Sequence, residues 1–376
     1  MRILIAGRGF DSLSRRETGA FETDQARALR NMGHDVRFAA ADTRSLRRLR
    51  PLGLREYDLD GIRVIYCAVP AGARPAFLSR RALRTASARI WERLDAEGWQ
   101  PEVVHAHFGA SMLTEARRRG IPTVYTEHSS RANADDISPA EERREREEYG
   151  LADRVICVSR ILARRIAARC GIEPAVIPNI VDPVFCTNIS DTAAPHEEVR
   201  FVSAGNLIPS KCFDYLLRAF ARMRDHTCRP VKLTVIGDGP EAGRLRELSR
   251  TLGAADSVDF TGRLERSAMA EIYRGADAFV LASASETFGV VFIEALAMGL
   301  PVISSRCGGP EDFVDRTNGL LVPTRDIDAL SDAMTAMTRD SDRYDRAVLA
   351  ASARERFSPE TVAGALTAIY EELLSC

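Results

Sequence analysis

Glu286 and Glu294 bracket the apolar run Thr287-Phe288-Gly289-Val290-Val291-Phe292-Ile293. The run follows a predicted strand at 278–282 and enters a predicted helix that stops at Met298-Gly299-Leu300-Pro301. Glu294 then rides on the helix and Glu286 lies in the loop before it. Backbone N–H groups around Gly289 and Val290 sit at the helix N-terminus, where orphan donors and the macrodipole favour phosphate. A carboxylate beyond such phosphates can accept hydrogen bonds from ribose hydroxyls, as the acid of a dinucleotide fold does. The plainer alternative is one surface glutamate and one helix glutamate.

Further groups have the right types for the same chemistry. Ser203-Ala-Gly205-Asn206-Leu-Ile-Pro-Ser-Lys211 follows a predicted strand and precedes a predicted helix at 213–223. Gly205 relieves a tight turn, and Lys211 can reach a phosphate as a point charge; a plain corner with a solvated lysine is the competing reading. His128 in Val124-Tyr-Thr-Glu-His128 ends a predicted strand, as a site residue or as a satisfied structural one. In Val103-Val-His105-Ala-His107 the alternation puts both histidines on one face. No third ligand lies nearby in sequence, so a metal site is not expected there. Gly7-Arg8-Gly9 and Thr18-Gly19-Ala20-Phe21 flank the loop after the first strand, but the third glycine of a dinucleotide fingerprint is missing. Phe260-Thr-Gly262-Arg263-Leu264 and Ser305-Arg-Cys-Gly308-Gly309-Pro310-Glu311 each follow a strand. Gly308-Gly309 permits either close backbone approach to a ligand or a turn before a capped helix. The triplets Asp58-Leu59-Asp60, Asp326-Ile327-Asp328 and Asp340-Ser341-Asp342 read as a hairpin turn and two helix starts, where Asp caps, and not as metal sites.

These residues need strands that end in loops and helices that begin there. Val/Ile-rich strands alternate with amphipathic helices throughout, which calls for α/β with parallel sheets. In the first half strands are predicted at 2–6, 35–39, 62–68, 102–106, 123–126, 154–158 and 175–177. In the second they fall at 200–203, 232–236, 257–260, 277–282, 301–304 and 319–322. A polar stretch at 186–198 reads as the linker, and Pro359 at the first position opens a final helix. Ligands of open parallel sheets lie beyond the strand C-termini, so two facing sheets would make a deep cleft.

A chain of 376 residues is long enough for two or three domains. No stretch approaches the roughly 18 apolar residues that span a bilayer, and the start reads as a first strand rather than a leader. Eight scattered cysteines without Cys-x-x-Cys point to reduced thiols and a cytoplasmic setting, with peripheral contact at the inner face of a membrane as an option. Net charge is −1, yet residues 1–185 carry 31 Lys and Arg against 25 Asp and Glu. Arg44, Arg47, Arg48, Arg50, Arg74, Arg80, Arg81, Arg84 and Arg89 make up much of the excess. They form either a solvated surface or a basic face for anionic lipid or a phosphorylated acceptor. Nothing matches a nucleic-acid module.

The Glu286-x7-Glu294 spacing resembles the signature of retaining family 4 glycosyltransferases, and the other segments match that family in order from about Met1 to Val322. The resemblance implies the GT-B fold: two Rossmann-like parallel-sheet domains facing an interdomain cleft. Residues 1–183 would form the acceptor domain, with helix 358–376 crossing back to it, and 184–357 the nucleotide-sugar domain. It implies metal-independent transfer of a sugar from a nucleotide sugar, a UDP-sugar ahead of a GDP-sugar, to an acceptor hydroxyl. The acceptor class implied is lipid-linked, polysaccharide or small-molecule. By the same resemblance Glu286, His128 and Lys211 are catalytic, while Gly19, Gly205, Asn206, Arg263, Leu264, Phe288, Gly289, Val290 and Glu294 hold the donor. No metal or other cofactor is implied. The family stretch Gly-Arg-Leu-x4-Lys-Gly appears here with Asn206 in place of arginine and Cys212 in place of glycine, which shifts diphosphate stabilisation toward Lys211 and the helix N-terminus. A GT-B sugar-nucleotide epimerase and a non-catalytic binding subunit are the rival readings.

Overall fold

Near-continuous apolar runs such as Ile3-Leu4-Ile5 and Phe279-Val280-Leu281 suit strands covered on both faces, as parallel sheets demand. The computed structural model describes residues 1–7, 20–44, 52–70, 76–107, 110–134, 136–186 and 197–375. They divide into two compact units, Met1–Ile180 with Pro359–Cys376, and Val181–Ser358.

Unit 1 is built from β1 (Arg2–Ala6), α1 (Ala20–Asn31), β2 (Asp35–Arg44), β3 (Gly53–Leu59), β4 (Ile62–Pro70), α2 (Ala76–Ala96), β5 (Val103–His107), α3 (Ser111–Arg118), β6 (Thr123–Glu127), α4 (Pro139–Tyr149), β7 (Arg154–Cys157), α5 (Arg160–Cys170) and β8 (Ala175–Val176). Its sheet runs β3-β4-β2-β1-β5-β6-β7-β8. The sequence pattern misses β3, which is half-exposed and antiparallel to β4, so this sheet is mixed at one edge. Asp60 and Gly61, both at positive φ, make the hairpin turn that joins the two strands. The chain's last helix packs on this sheet's core: Val362, Ala363, Leu366 and Tyr370 lie among Ile3, Leu29, Phe38 and Val124. Burying each such large apolar side chain contributes about 1.5–3 kcal/mol.

Unit 2 comprises β9 (Val199–Ala204), α6 (Phe213–Arg224), β10 (Val231–Ile236), α7 (Ala242–Thr251), β11 (Val258–Gly262), α8 (Arg266–Arg274), β12 (Ala278–Leu281), α9 (Val290–Ala297), β13 (Val302–Ser305), β14 (Gly319–Val322), α10 (Ile327–Asp340) and α11 (Arg346–Phe357); α12 (Pro359–Ser375) is the closing helix of unit 1. The all-parallel sheet runs β11-β10-β9-β12-β13-β14. Strand order therefore reverses between β9 and β12, the switch point beyond which open α/β sheets hold ligands. Asp326 caps α10 by accepting from Ala329 N–H, as its triplet suggests. Asp340-Ser341-Asp342 instead closes α10 in a short 3-10 turn, which corrects the expected helix start. Among the described residues no helix is long and apolar enough to cross a membrane.

Candidate active site

The loops after β9 and β12 meet at the switch point of unit 2. Ala284 N–H donates to Ser210 C=O at 2.9 Å, which ties the two loops by their backbones. Beside that tie, Lys211 Nζ lies 2.6 Å from Glu286 Oε1. The lysine side chain is 22% exposed and the glutamate 9%, so the pair is partly withdrawn from water but open on the lysine side. Ser283 Oγ donates to the same carboxylate oxygen at 2.6 Å. Two donors thus hold a single Glu286 oxygen, which pins the rotamer. Its backbone is fixed as well: Glu286 N–H donates to Cys307 C=O, and its C=O accepts from Gly309 N–H, both at 2.8 Å. Glu286 is no loose surface acid.

The turn that follows depends on glycine. Gly289 has φ 91° and caps α9 with no side chain of its own, leaving the first-turn amides of Val290 and Val291 at the helix N-terminus. Phe288 is buried against Phe313 and Phe357, anchoring the turn. Gly309 has its Cα directed at this turn: a Cβ there would lie 2.3 Å from Phe288 Cα and 2.6 Å from the Thr287 carbonyl oxygen. Gly308-Gly309 therefore packs backbone on backbone behind Phe288. It also enters a 3-10 turn in which Gly308 N–H meets Glu311 Oε1 at 3.1 Å. Glu294 is buried on α9. Burial and the charge of Glu294 together push the Tyr273 phenol well above its ordinary pKa.

On the β9 side, Gly205 N–H donates to Ile236 C=O and Leu207 N–H to Asp238 C=O, at 3.0 Å each. Gly205 is half-buried and Asn206 exposed beside them. Cys212 takes the place of the expected glycine at φ 51°, ψ 39°, the left-handed region that costs a side chain about 1–2 kcal/mol. Cys212→Gly and Cys212→Ala both remove the buried thiol and differ chiefly in this strain. The glycine variant is expected to be the more stable by about 1 kcal/mol in denaturant titration; equal stabilities would show that the conformation carries no cost. Arg263 and Leu264 follow β11, at the far edge of the sheet from β14, and are exposed and half-buried respectively.

Unit 1 holds His128 after β6, buried, with Nε2 2.9 Å from His107 Nδ1 and its ring stacked on Phe21 at 4.4 Å. Next to it Glu127 is equally buried. It accepts from Ser129 N–H at 2.6 Å and from Tyr149 O–H at 2.9 Å, and burial pushes its carboxyl up to about 7 against those two donors. The motifs mark neither Glu127 nor Ser283. An acid inside a strand otherwise free of charge is the available signal for the first, and nothing in the spacing singles out the second. Gly19 lies outside the described residues, as do Arg47, Arg48, Arg50 and Arg74. Arg80, Arg81, Arg84 and Arg89 are exposed on α2. Among the described residues no trio of His, Cys, Asp or Glu is arranged to hold a metal, and seven cysteines, from Cys67 to Cys307, are free thiols.

Comparison with known proteins bears on the family and the fold. Residues 23–185 match the model described as Glycosyltransferase Family 4, and 186–356 the model for Glycosyl transferases group 1. A D-inositol 3-phosphate glycosyltransferase of Xylanimonas cellulosilytica is 30% identical over 351 residues, covering 83% of this chain and 82% of that protein. Another from Kribbella flavida is 30% identical over 269 residues, covering 64% of this chain; the match spans 63% of that protein, under two thirds of its length. Among solved structures, a sucrose-phosphate synthase from Thermosynechococcus elongatus superposes with TM-score 0.79 at 21% identity, covering 100% of this chain and 99% of the other. Anabaena HepE in complex with UDP gives 0.72 at 19% identity, over 99% and 100%. With both sequence models matched in order and two α/β units observed, one sheet all parallel and the other parallel but for edge strand β3, the chain belongs to the group 1, family 4 glycosyltransferases and has their GT-B fold.

Proposed function

We propose that this chain transfers a sugar from a nucleotide sugar to an acceptor hydroxyl, with retention at the anomeric carbon and without a metal. The observation that carries the reading is the Lys211–Glu286 contact at the switch point, beside the open N-terminus of α9. A diphosphate needs fixed positive groups where charge develops as it leaves, and such preorganised stabilisation usually lowers the barrier more than any other effect. Lys211 and the amides of Val290 and Val291 are those groups. In the step, the C1–O bond to the β-phosphate breaks and the acceptor oxygen bonds C1 on the same face. The acceptor's proton passes to the departing phosphate oxygen, so no separate base is required. Glu286, neighbour to Lys211, orients the sugar, and His128 contacts it. Glu294 accepts from the ribose hydroxyls, Arg263 and Leu264 meet the base, and Gly19, Gly205, Asn206 and Phe288 shape the remainder of the donor site.

A UDP-sugar is the preferred donor, supported by the solved HepE complexes with UDP and with UDP-glucose. For the acceptor, the relatives' names make a phosphorylated polyol the first compound to try, alongside lipid-linked and polysaccharide acceptors. The exposed arginines of α2 suit a phosphorylated or lipid-bound acceptor equally.

Metal-free calorimetry with uridine and guanosine diphosphates and their sugars tests the donor site. Wild type is expected to bind one base, and Glu294→Ala to bind it more weakly by ~1–3 kcal/mol, the loss expected for charge-assisted hydrogen bonds. Unchanged affinity in Glu294→Ala would remove the ribose assignment, and binding that appears only with added divalent metal would overturn the metal-free reading.

A further inference from the structure

The motif Val103-Val-His105-Ala-His107 has no role in the transfer step itself, yet the structure draws it to His128. Both histidines are fully buried on one face of β5. His105 is held at both nitrogens, with Nδ1 2.6 Å from the Tyr370 hydroxyl of α12 and Nε2 2.7 Å from Thr126 Oγ1. Burial pulls its pKa down to about 3, so the ring is neutral. His107 packs on it with ring centroids 4.3 Å apart and reaches its own Nδ1 to within 2.9 Å of His128 Nε2. Across the 2.9 Å between His107 Nδ1 and His128 Nε2 one proton occupies the line: one ring donates and the other accepts. The tautomers of the two rings are therefore coupled, and the bond a histidine makes at one nitrogen decides what the other nitrogen can do.

We propose that His107 is a positioning residue for His128: it occupies Nε2, fixes the tautomer and holds the ring plane in which His128 meets the donor sugar. This role rests on the transferase reading of the site. A sugar hydroxyl cannot use Nε2 of His128 without displacing His107. His105, clamped between α12 and β6, is the rigid floor on which His107 rests.

The test uses the full chain and two variants. His107→Asn places an amide group close to where Nδ1 was, whereas His107→Phe keeps a buried ring and removes the bond. Imidazole nitrogen NMR reads the tautomer of His128, and donor hydrolysis reads kcat. A single His128 tautomer is expected in wild type and His107→Asn, and a mixture in His107→Phe. Turnover should fall about 10-fold in the Phe variant, the value of one neutral hydrogen bond, and return to within about threefold in the Asn variant. Affinity for the bare nucleoside diphosphate should be the same in all three, because His128 is assigned to the sugar, and Lys211, Glu294 and the α9 amides to the nucleotide. An unchanged tautomer and kcat in His107→Phe would overturn the proposal. Equal losses in Asn and Phe would do so too, leaving a packing role only. If wild type turns over no nucleotide sugar, the transferase reading fails and the positioning role with it, while the spectra still decide whether the His107–His128 bond exists.

Discussion

Glu286→Gln is expected to cut turnover about 100-fold or more, in line with the loss of one fixed electrostatic group at a reacting centre, while affinity for the bare nucleoside diphosphate stays level or rises. The two halves of this result come from one contact. Lys211 Nζ is 2.6 Å from Glu286 Oε1, so each charge is already answered by the other. A diphosphate must compete with the carboxylate for the lysine. Glutamine keeps the size of the side chain and an oxygen to accept from Ser283, but it takes the negative charge away. Lys211 is then a better anion partner, and the sugar loses the group that orients it. Partial exposure of Lys211 limits the stability loss, because water can serve the uncompensated ammonium. The melting temperature should therefore stay near wild type. Calorimetry with UDP beside steady-state rates separates the effects: binding and turnover that fall together would assign Glu286 a structural role, and full activity would remove it from the reaction.

Apolar runs locate the parallel strands of both sheets, most plainly the central ones such as β5, β6 and β12, which are buried on both faces. They miss β3 for the opposite reason: Gly53-Leu-Arg-Glu-Tyr-Asp-Leu59 is an exposed edge whose pairing is carried by the hairpin turn and by β4, not by its own hydrophobicity. The site is legible where side-chain type and loop position coincide, at Lys211, Glu286, Gly289 and Glu294. It is illegible where the meaning lies in who touches whom. Ser283 gains its place only when Glu286 folds back on it. His107 reads as half of an implausible metal pair until β5 and β6 align and set it against His128. The Cys212 substitution is visible as a departure from the family's glycine, and the left-handed backbone supplies the physical reason for that glycine.

Gly309→Ala tests the same site from behind. Gly309 has an ordinary φ, so backbone strain is not the issue; the space is. One added carbon would sit 2.3 Å from Phe288 Cα and 2.6 Å from Phe288 N, and neither atom can swing aside as the end of a side chain can. The Thr287–Gly289 turn must move, or the 3-10 turn that begins at Gly309 must. The first option displaces the capping Gly289 and the amides of Val290 and Val291; the second breaks the Gly309 N–H bond to Glu286 C=O. Either way the penalty is expected to reach about 3 kcal/mol, within the range for overpacking at a rigid contact. For a unit of this size that corresponds to a melting temperature lower by roughly 6–12 °C. Nucleoside diphosphate affinity should fall at least about 10-fold at temperatures where the variant is still folded. Gly243 in α7 provides the control, since a Cβ there meets nothing within 4 Å. Gly243→Ala should hold or gain stability by about 0.5–1 kcal/mol, as removing a helix glycine does. A Gly309→Ala protein that melts and binds like wild type would mean that the Phe288 turn yields freely, and the helix N-terminus it carries could not then be the rigid diphosphate cradle assigned to it.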